Sequence, residues 1–353
     1  MKNVVKFVSR WLSLGHSAHC KPINDAVHFS LQILTSCSSP KMDEAMQADA
    51  DATFISNAVH INEHAYVNIL LCYPKQKNSL CKITRVPEGE PQLEELPFVL
   101  PLPVERYGLA SFKDSLLVVG GKFTSANKPA GSRSYSNRVF TYSPLTKKIK
   151  VTFPPMRSAC ASPAVVTHEG LIIVVHGEGA DSGVEVLDTT IPNADWKQVE
   201  PLPYFSATPS ATIVNGYLVV WIGAVYCMHL SSITSPKQTS HHFPSSWSAL
   251  PSPPTSSSLK LANYKDHLAA FAIGQNHKVY SYVFHHASMQ WIKLQELGDE
   301  CSESTYSRNM ISASVTAQLV TVIWQCYQKG TNKRCNSLQL NIQTGVIPNE
   351  SDN

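Results

Sequence analysis

Charge is scarce in this chain of 353 residues: Asp, Glu, Lys and Arg together make up 16%, against about 25% in an average domain. That excludes a polyelectrolyte tail. The 43% hydrophobic content excludes a chain too poor in apolar surface to fold. With 16 Gly and 23 Pro, collagen-like and low-complexity readings also fail. A net charge of +3 is too small to make nucleic acid the expected partner. No run of 18 apolar residues occurs, so no spanning helix and no membrane partner are expected. Neither C-x-x-C nor H-E-x-x-H is present, so no spacing suggests a metal, and no cofactor is expected.

The nine cysteines are odd in number and irregularly spaced, unlike a secreted disulfide framework. They read as reduced, partly buried thiols, which places the chain in a reducing compartment, the cytoplasm. No acid precedes Asp25, and Lys2, Lys6 and Arg10 recur every four residues among apolar ones. That stretch reads as a short transit peptide, an interfacial helix or a strand.

What is present is a repeat. An apolar strand following a short polar turn recurs through Ser115–Gly121, Leu171–Gly177, Tyr217–Gly223 and His267–Gly274, with weaker copies ending at Asn68 and Gln325. The period is about 50 residues, that of a four-stranded blade. Each copy continues with an alternating strand, such as Arg138–Tyr142, Val184–Leu187 or Lys278–Val283. Several copies then add Trp-x-x-apolar, at Trp196, Trp247 and Trp291, and close on proline steps such as Pro154-Pro155 and Pro201-Leu202-Pro203. Proline fits a turn between units because it cannot donate to a ladder.

These features resemble the kelch-repeat family, including the galactose oxidase-like propellers, over residues 53–348. The second copy carries most of the resemblance, with Gly120-Gly121, the Asn137–Tyr142 strand and Arg106-Tyr107 at its entry. The repeats are divergent: the double Gly decays to one in copies three to five and is absent from one and six. The fourth-strand Trp is missing from copies one, two and six.

The expected fold is all-β, a six-bladed kelch-type β-propeller of four-stranded antiparallel blades. Stacking blades around an axis buries both faces of each sheet, which no lone sheet can do. The blades are expected at 53–103, 104–156, 157–203, 204–254, 255–298 and 299–348, preceded by an N-terminal segment, 1–52, and followed by a tail, 349–353. Copy six has three strands, so 10–14 or 27–34 is the candidate donor to close the ring, with 35–52 an acidic linker.

Catalytic signals are weak. Gly177–Gly183 is spaced G-x-G-x-x-x-G and leads into a strand, so it reads as a turn rather than a phosphate loop. His241-His242 and His285-His286 are adjacent, and adjacent strand residues face opposite ways. Copper-radical oxidases share such a propeller, but no local motif here matches their copper site. The three tryptophans read as packing between blades.

The expected function is therefore a non-enzymatic, monomeric interaction scaffold with a protein partner bound through inter-strand loops; what the resemblance implies about loops agrees. The alternative is an enzyme or small-molecule binder, for instance of carbohydrate, using the axial pocket. No acid lies between Ser115 and His168, which suggests a basic sector for an acidic protein segment. Candidate binding residues are Arg106, Tyr107, Lys122, Lys128, Arg133, Tyr135, Arg138, Arg157, Tyr204 and Phe205. Arginine grips carboxylates bidentately where lysine does not.

Overall fold

The computed structural model describes residues 52–55, 58–61, 64–71, 77–84, 92–96, 104–123, 134–234, 246–254, 259–273, 278–298, 311–315, 319–329 and 336–346. The candidate ring-closing strands, most of the acidic linker, the tail, Lys128 and Arg133 lie outside the described residues.

The first sheet contains β1 (Ala52–Ile55), β2 (Val59–Ile61), β3 (His64–Leu71), β4 (Lys77–Thr84) and β5 (Gln92–Leu96). β1 and β2 pair with successive parts of β3, a first strand split in two. Next come β6 (Val104–Glu105), β7 (Gly108–Phe112), β8 (Ser115–Val119), β9 (Lys122–Phe123), β10 (Val139–Ser143) and β11 (Lys148–Phe153). β7, β8, β10 and β11 form the second sheet, while β6 and β9 make a small ribbon at its end.

The third sheet is β12 (Ala164–His168), β13 (Leu171–Val175), β14 (Val184–Asp188) and β15 (Lys197–Val199). The fourth is β16 (Ser210–Val214), β17 (Tyr217–Trp221), β18 (Val225–His229) and β19 (Ser248–Leu250), with a short helix α1 (Leu230–Thr234) after β18. The fifth is β20 (Leu259–Tyr264), β21 (His267–Ile273), β22 (Val279–His285) and β23 (Gln290–Gly298). A last sheet has three strands, β24 (Ile311–Val315), β25 (Leu319–Lys329) and β26 (Asn336–Val346). Every pairing is antiparallel, in the arrangement of a β-propeller.

The expectation of six four-stranded blades is thus corrected: five sheets have the full complement, and the last has three strands among the described residues. β24 nevertheless packs between β20 and β2, and β2 also packs on β7.

Turn chemistry sets the inner hairpins. Glu169-Gly170, Asn215-Gly216 and Lys265-Asp266 each join a first strand to a second with positive φ at both residues (47° and 85°, 49° and 76°, 47° and 61°). That is the two-residue turn whose twist matches the strands it joins.

The second strands explain the apolar runs. On β8, Leu116 and Val118 pack toward the first sheet and Leu117 and Val119 toward the third. On β13, Ile172 and Val174 face back while Leu171, Ile173 and Val175 face forward. Period-two alternation between two buried faces leaves no polar position on such a strand. β11, at the outer edge, is largely exposed instead.

The tryptophans tie sheet to sheet, as their repeat position suggests. Trp196 Nε1 donates to Pro154 O at 2.7 Å, Trp247 Nε1 to Glu200 O at 2.8 Å, and Trp291 Nε1 to Pro251 O at 2.8 Å. In each case the acceptor is on the exit of the preceding sheet. The double Gly has a similar role. Gly120 has φ 66°, a Cβ on it would sit 2.5 Å from Cys160 O, and the Gly121 N–H donates to that same carbonyl at 2.8 Å. A side chain there would push the second and third sheets apart.

The contact between the first and last sheets is polar. The Ala58 N–H donates to Ser312 Oγ at 2.6 Å, and His60 places Nδ1 2.8 Å from Ser314 Oγ and Nε2 3.1 Å from Thr321 Oγ1. Burial pushes the His60 pKa down to about 4. Its unfolded value is 6.5, so the unfolded chain binds the proton first. Stability is therefore intact above pH 6.5 and declines as pH falls toward 4. At about pH 5 this single group should cost about 2 kcal/mol. His286, lowered to about 4 by burial and by His267 and His285, acts with the same sign. Melts of His60→Gln at neutral pH and at about pH 5 should show a clearly smaller drop than wild type; an equal drop would assign the acid sensitivity elsewhere.

Cys81, Cys160 and Cys227 are buried, and burial pushes the Cys160 and Cys227 thiols up to about 12. Among the described residues no helix is long and apolar enough to cross a membrane.

Candidate binding face

The connections between second and third strands and the crossovers between sheets emerge at one end of the molecule. At the junction of the second and third sheets they assemble a charged cluster. Arg106 stands at the entry to β7 with φ 54°, a left-handed conformation costly for a non-glycine residue. It is held there because its carbonyl accepts the Ser162 N–H at 2.6 Å and its Nε donates to Ser162 Oγ at 3.2 Å. Lys122 and Tyr135 face each other across an isolated bridge.

Both meet Glu178, which comes from the connection between β13 and β14. Glu178 receives Arg106 Nη1 at 2.5 Å, Lys122 Nζ at 3.2 Å and the Tyr135 hydroxyl at 2.9 Å. Burial alone would raise the Glu178 carboxyl, but Tyr135, Arg106 and Lys122 outweigh it and hold it below its ordinary value. Burial and the bond to Glu178 raise the Tyr135 phenol.

The flanking glycines make this approach feasible. A Cβ on Gly177 would lie 2.2 Å from Ala161 O, and one on Gly179 would lie 2.4 Å from the Tyr135 ring. The G-x-G spacing thus serves close packing between sheets, consistent with a turn and not a phosphate loop.

A second buried group sits just beneath. Glu185 of β14 accepts the Arg157 N–H at 2.8 Å and the Ser158 N–H at 2.9 Å, and His176 Nε2 lies 3.1 Å from its Oε1. Burial would raise this carboxyl, yet His176 and the two main-chain donors hold it below the ordinary value. Glu185 therefore anchors the crossover that carries Arg157. The Arg157 side chain is exposed, 3.7 Å from Asp195.

The candidate residues consequently divide. Arg106, Lys122 and Tyr135 come together, Arg157 and Arg138 are exposed, and Tyr204 and Phe205 are 63% and 51% exposed. Tyr107 is corrected: it is fully buried in the core between the first two sheets and offers no binding surface. The basic sector is also met by acids from outside it, since Glu178 and Asp195 from the third sheet reach into it. Glu178 and Glu185 were missed as partners of these residues; the glycines around Glu178 were the available signal.

The first strands line an axial cavity of about 550 Å³ whose walls include Ser111, Thr167, Thr212, Lys260 and Ser314. Among the described residues no cluster of three or more His, Cys, Asp or Glu could hold a metal ion.

No family model matches the chain, and none of the curated proteins matches it in sequence. Among solved structures it is similar to one described as the structure of YjhT, with a TM-score of 0.52 and 12% identity over 88% of this chain and 100% of that one. At that identity the likeness concerns the fold alone, and it agrees with the sheets above: the chain is a β-propeller.

Proposed function

We propose that this protein is a non-enzymatic, kelch-like interaction module that binds a protein partner with the end bearing Arg106, Lys122, Tyr135 and Glu178. The observation that carries the reading is the exposed pair Tyr204 and Phe205 on the same end. Aromatic and arginine side chains dominate binding energy at protein interfaces, and here both kinds sit on a rigid frame. The Leu202 N–H donates to Ser182 O at 2.8 Å, joining the aromatic crossover to the connection that carries Glu178. The two cations and one carboxylate of the cluster leave one net positive charge. An acidic segment on the partner suits this surface, with the aromatic pair contributing most of the affinity.

The test compares immobilised wild type with the double variant Tyr204→Ser/Phe205→Ser. Captured partners should fall by at least about tenfold, the effect of losing about 1.4 kcal/mol or more. Raising the salt should weaken capture only modestly. An unchanged set of partners at unchanged yield would reject this face.

A further inference from the structure

The axial channel contains a cation that the interaction reading does not use. Lys260 lies on β20 and lines the cavity. Among the described residues no carboxylate pairs with it: Asp266, the acid on the cavity wall, is six residues further along, beyond the turn-side end of β20. Desolvation lowers its pKa to about 8, with no charged neighbour contributing.

The main chain around it has a fixed orientation. β20 passes into β21 through two residues, with Tyr264 opposite His267. In an antiparallel ladder closed by such a turn, that pair is hydrogen-bonded and alternate residues turn their N–H and C=O away from the partner strand. Leu261 and Asn263 are those residues. The Leu261 N–H accordingly donates outward, to Ser210 Oγ at 2.9 Å.

β7, β12 and β16 pass into their second strands through turns of the same length. Their equivalent residues are Leu109, Val165 and Ala211, whose N–H groups face the channel. Outward carbonyls one step on confirm this register: Ser111 O accepts Thr167 Oγ1 at 2.7 Å and Ile213 O accepts Asn263 Nδ2 at 3.0 Å. Lys260 is one residue from Leu261 and lines the same cavity, so it stands on β20 at the level of these donors.

We infer that the axial channel binds a small organic monoanion, a carboxylate, between the Lys260 ammonium and the channel-facing N–H groups of Leu109, Val165 and Ala211. One ammonium balances one carboxylate charge; a phosphate dianion would leave a negative charge uncompensated in a partly desolvated site. The small walls around it, among them Ala58, Ala110, Ala262 and Ala313, leave room for an apolar body attached to the carboxylate.

The probe is benzoate, with chloride at equal ionic strength as the control. Lysines of the whole chain are reductively methylated with carbon-13, which keeps their charge, and the Lys260 signal is assigned from Lys260→Gln or, should that variant not fold, Lys260→Arg. Benzoate should shift the Lys260 signal saturably and raise its titration midpoint. Lys260→Gln should weaken benzoate binding in calorimetry by about tenfold or more. No saturable shift in the wild type, or undiminished binding by a folded Lys260→Gln, would overturn the proposal. So would saturation by inorganic phosphate without any by benzoate.

Discussion

Replacing Glu185 by alanine should cost the propeller about 2–5 kcal/mol, because donors that lose their acceptor in a buried site cost about 1–3 kcal/mol each. The side chain is almost wholly buried and accepts from two main-chain donors. Alanine would leave the Arg157 and Ser158 N–H groups and His176 without their acceptor. Chemical denaturation should show the loss, and amide exchange at Arg157 and Ser158 should accelerate well before global unfolding. The folded carboxyl titrates below the ordinary 4.5. Its contribution is therefore complete above that pH and fades as the pH falls through the folded value. A loss below about 1 kcal/mol would mean that the crossover is held by its other contacts. Because this crossover carries Arg157, the variant should also disturb the proposed binding face.

Trp196→Ala should have a comparable effect, about 3–5 kcal/mol, since a large buried aromatic leaves a cavity its neighbours cannot fill. Trp196 is fully buried between the second and third sheets, with Met156, Val165 and Leu187 in the same cluster. Trp196→Phe separates the two parts of that cost. It keeps most of the packing and removes only the bond to Pro154 O, so about 1 kcal/mol should be lost. Equal losses for both variants would show that the indole N–H, and not the ring volume, holds the sheets together. Trp247 and Trp291 make the same bond from half-buried positions, and their alanine variants should be milder.

Most of the architecture is legible along the chain because each repeat obeys local physics. The apolar runs at Leu116–Val119 and Leu171–Val175 can only be strands buried on both faces, and a unit with two buried faces must stack. The period near 50 residues, the tryptophan step and Gly120-Gly121 follow from that stacking. Tyr107 shows where local reading stops. It adjoins Arg106, but Arg106 is left-handed rather than extended, and only the packing of the first two sheets decides which of the two side chains turns inward.

The charges were decided by tertiary structure for a related reason. Counting along the chain from Ser115 to His168 finds only cations, yet blades stacked in register bring residues about one repeat apart into contact. Arg106 and Lys122 meet a glutamate 72 and 56 positions later. The axial site is further from the sequence still: whether Lys260 faces solvent, a neighbouring sheet or the channel depends on the register of the β20–β21 hairpin and on the ring of first strands around it. The sequence by itself determined that repeated sheets must stack around an axis. Which side chains cross from one sheet to the next, and which face the axis, only the closed packing of those sheets decided.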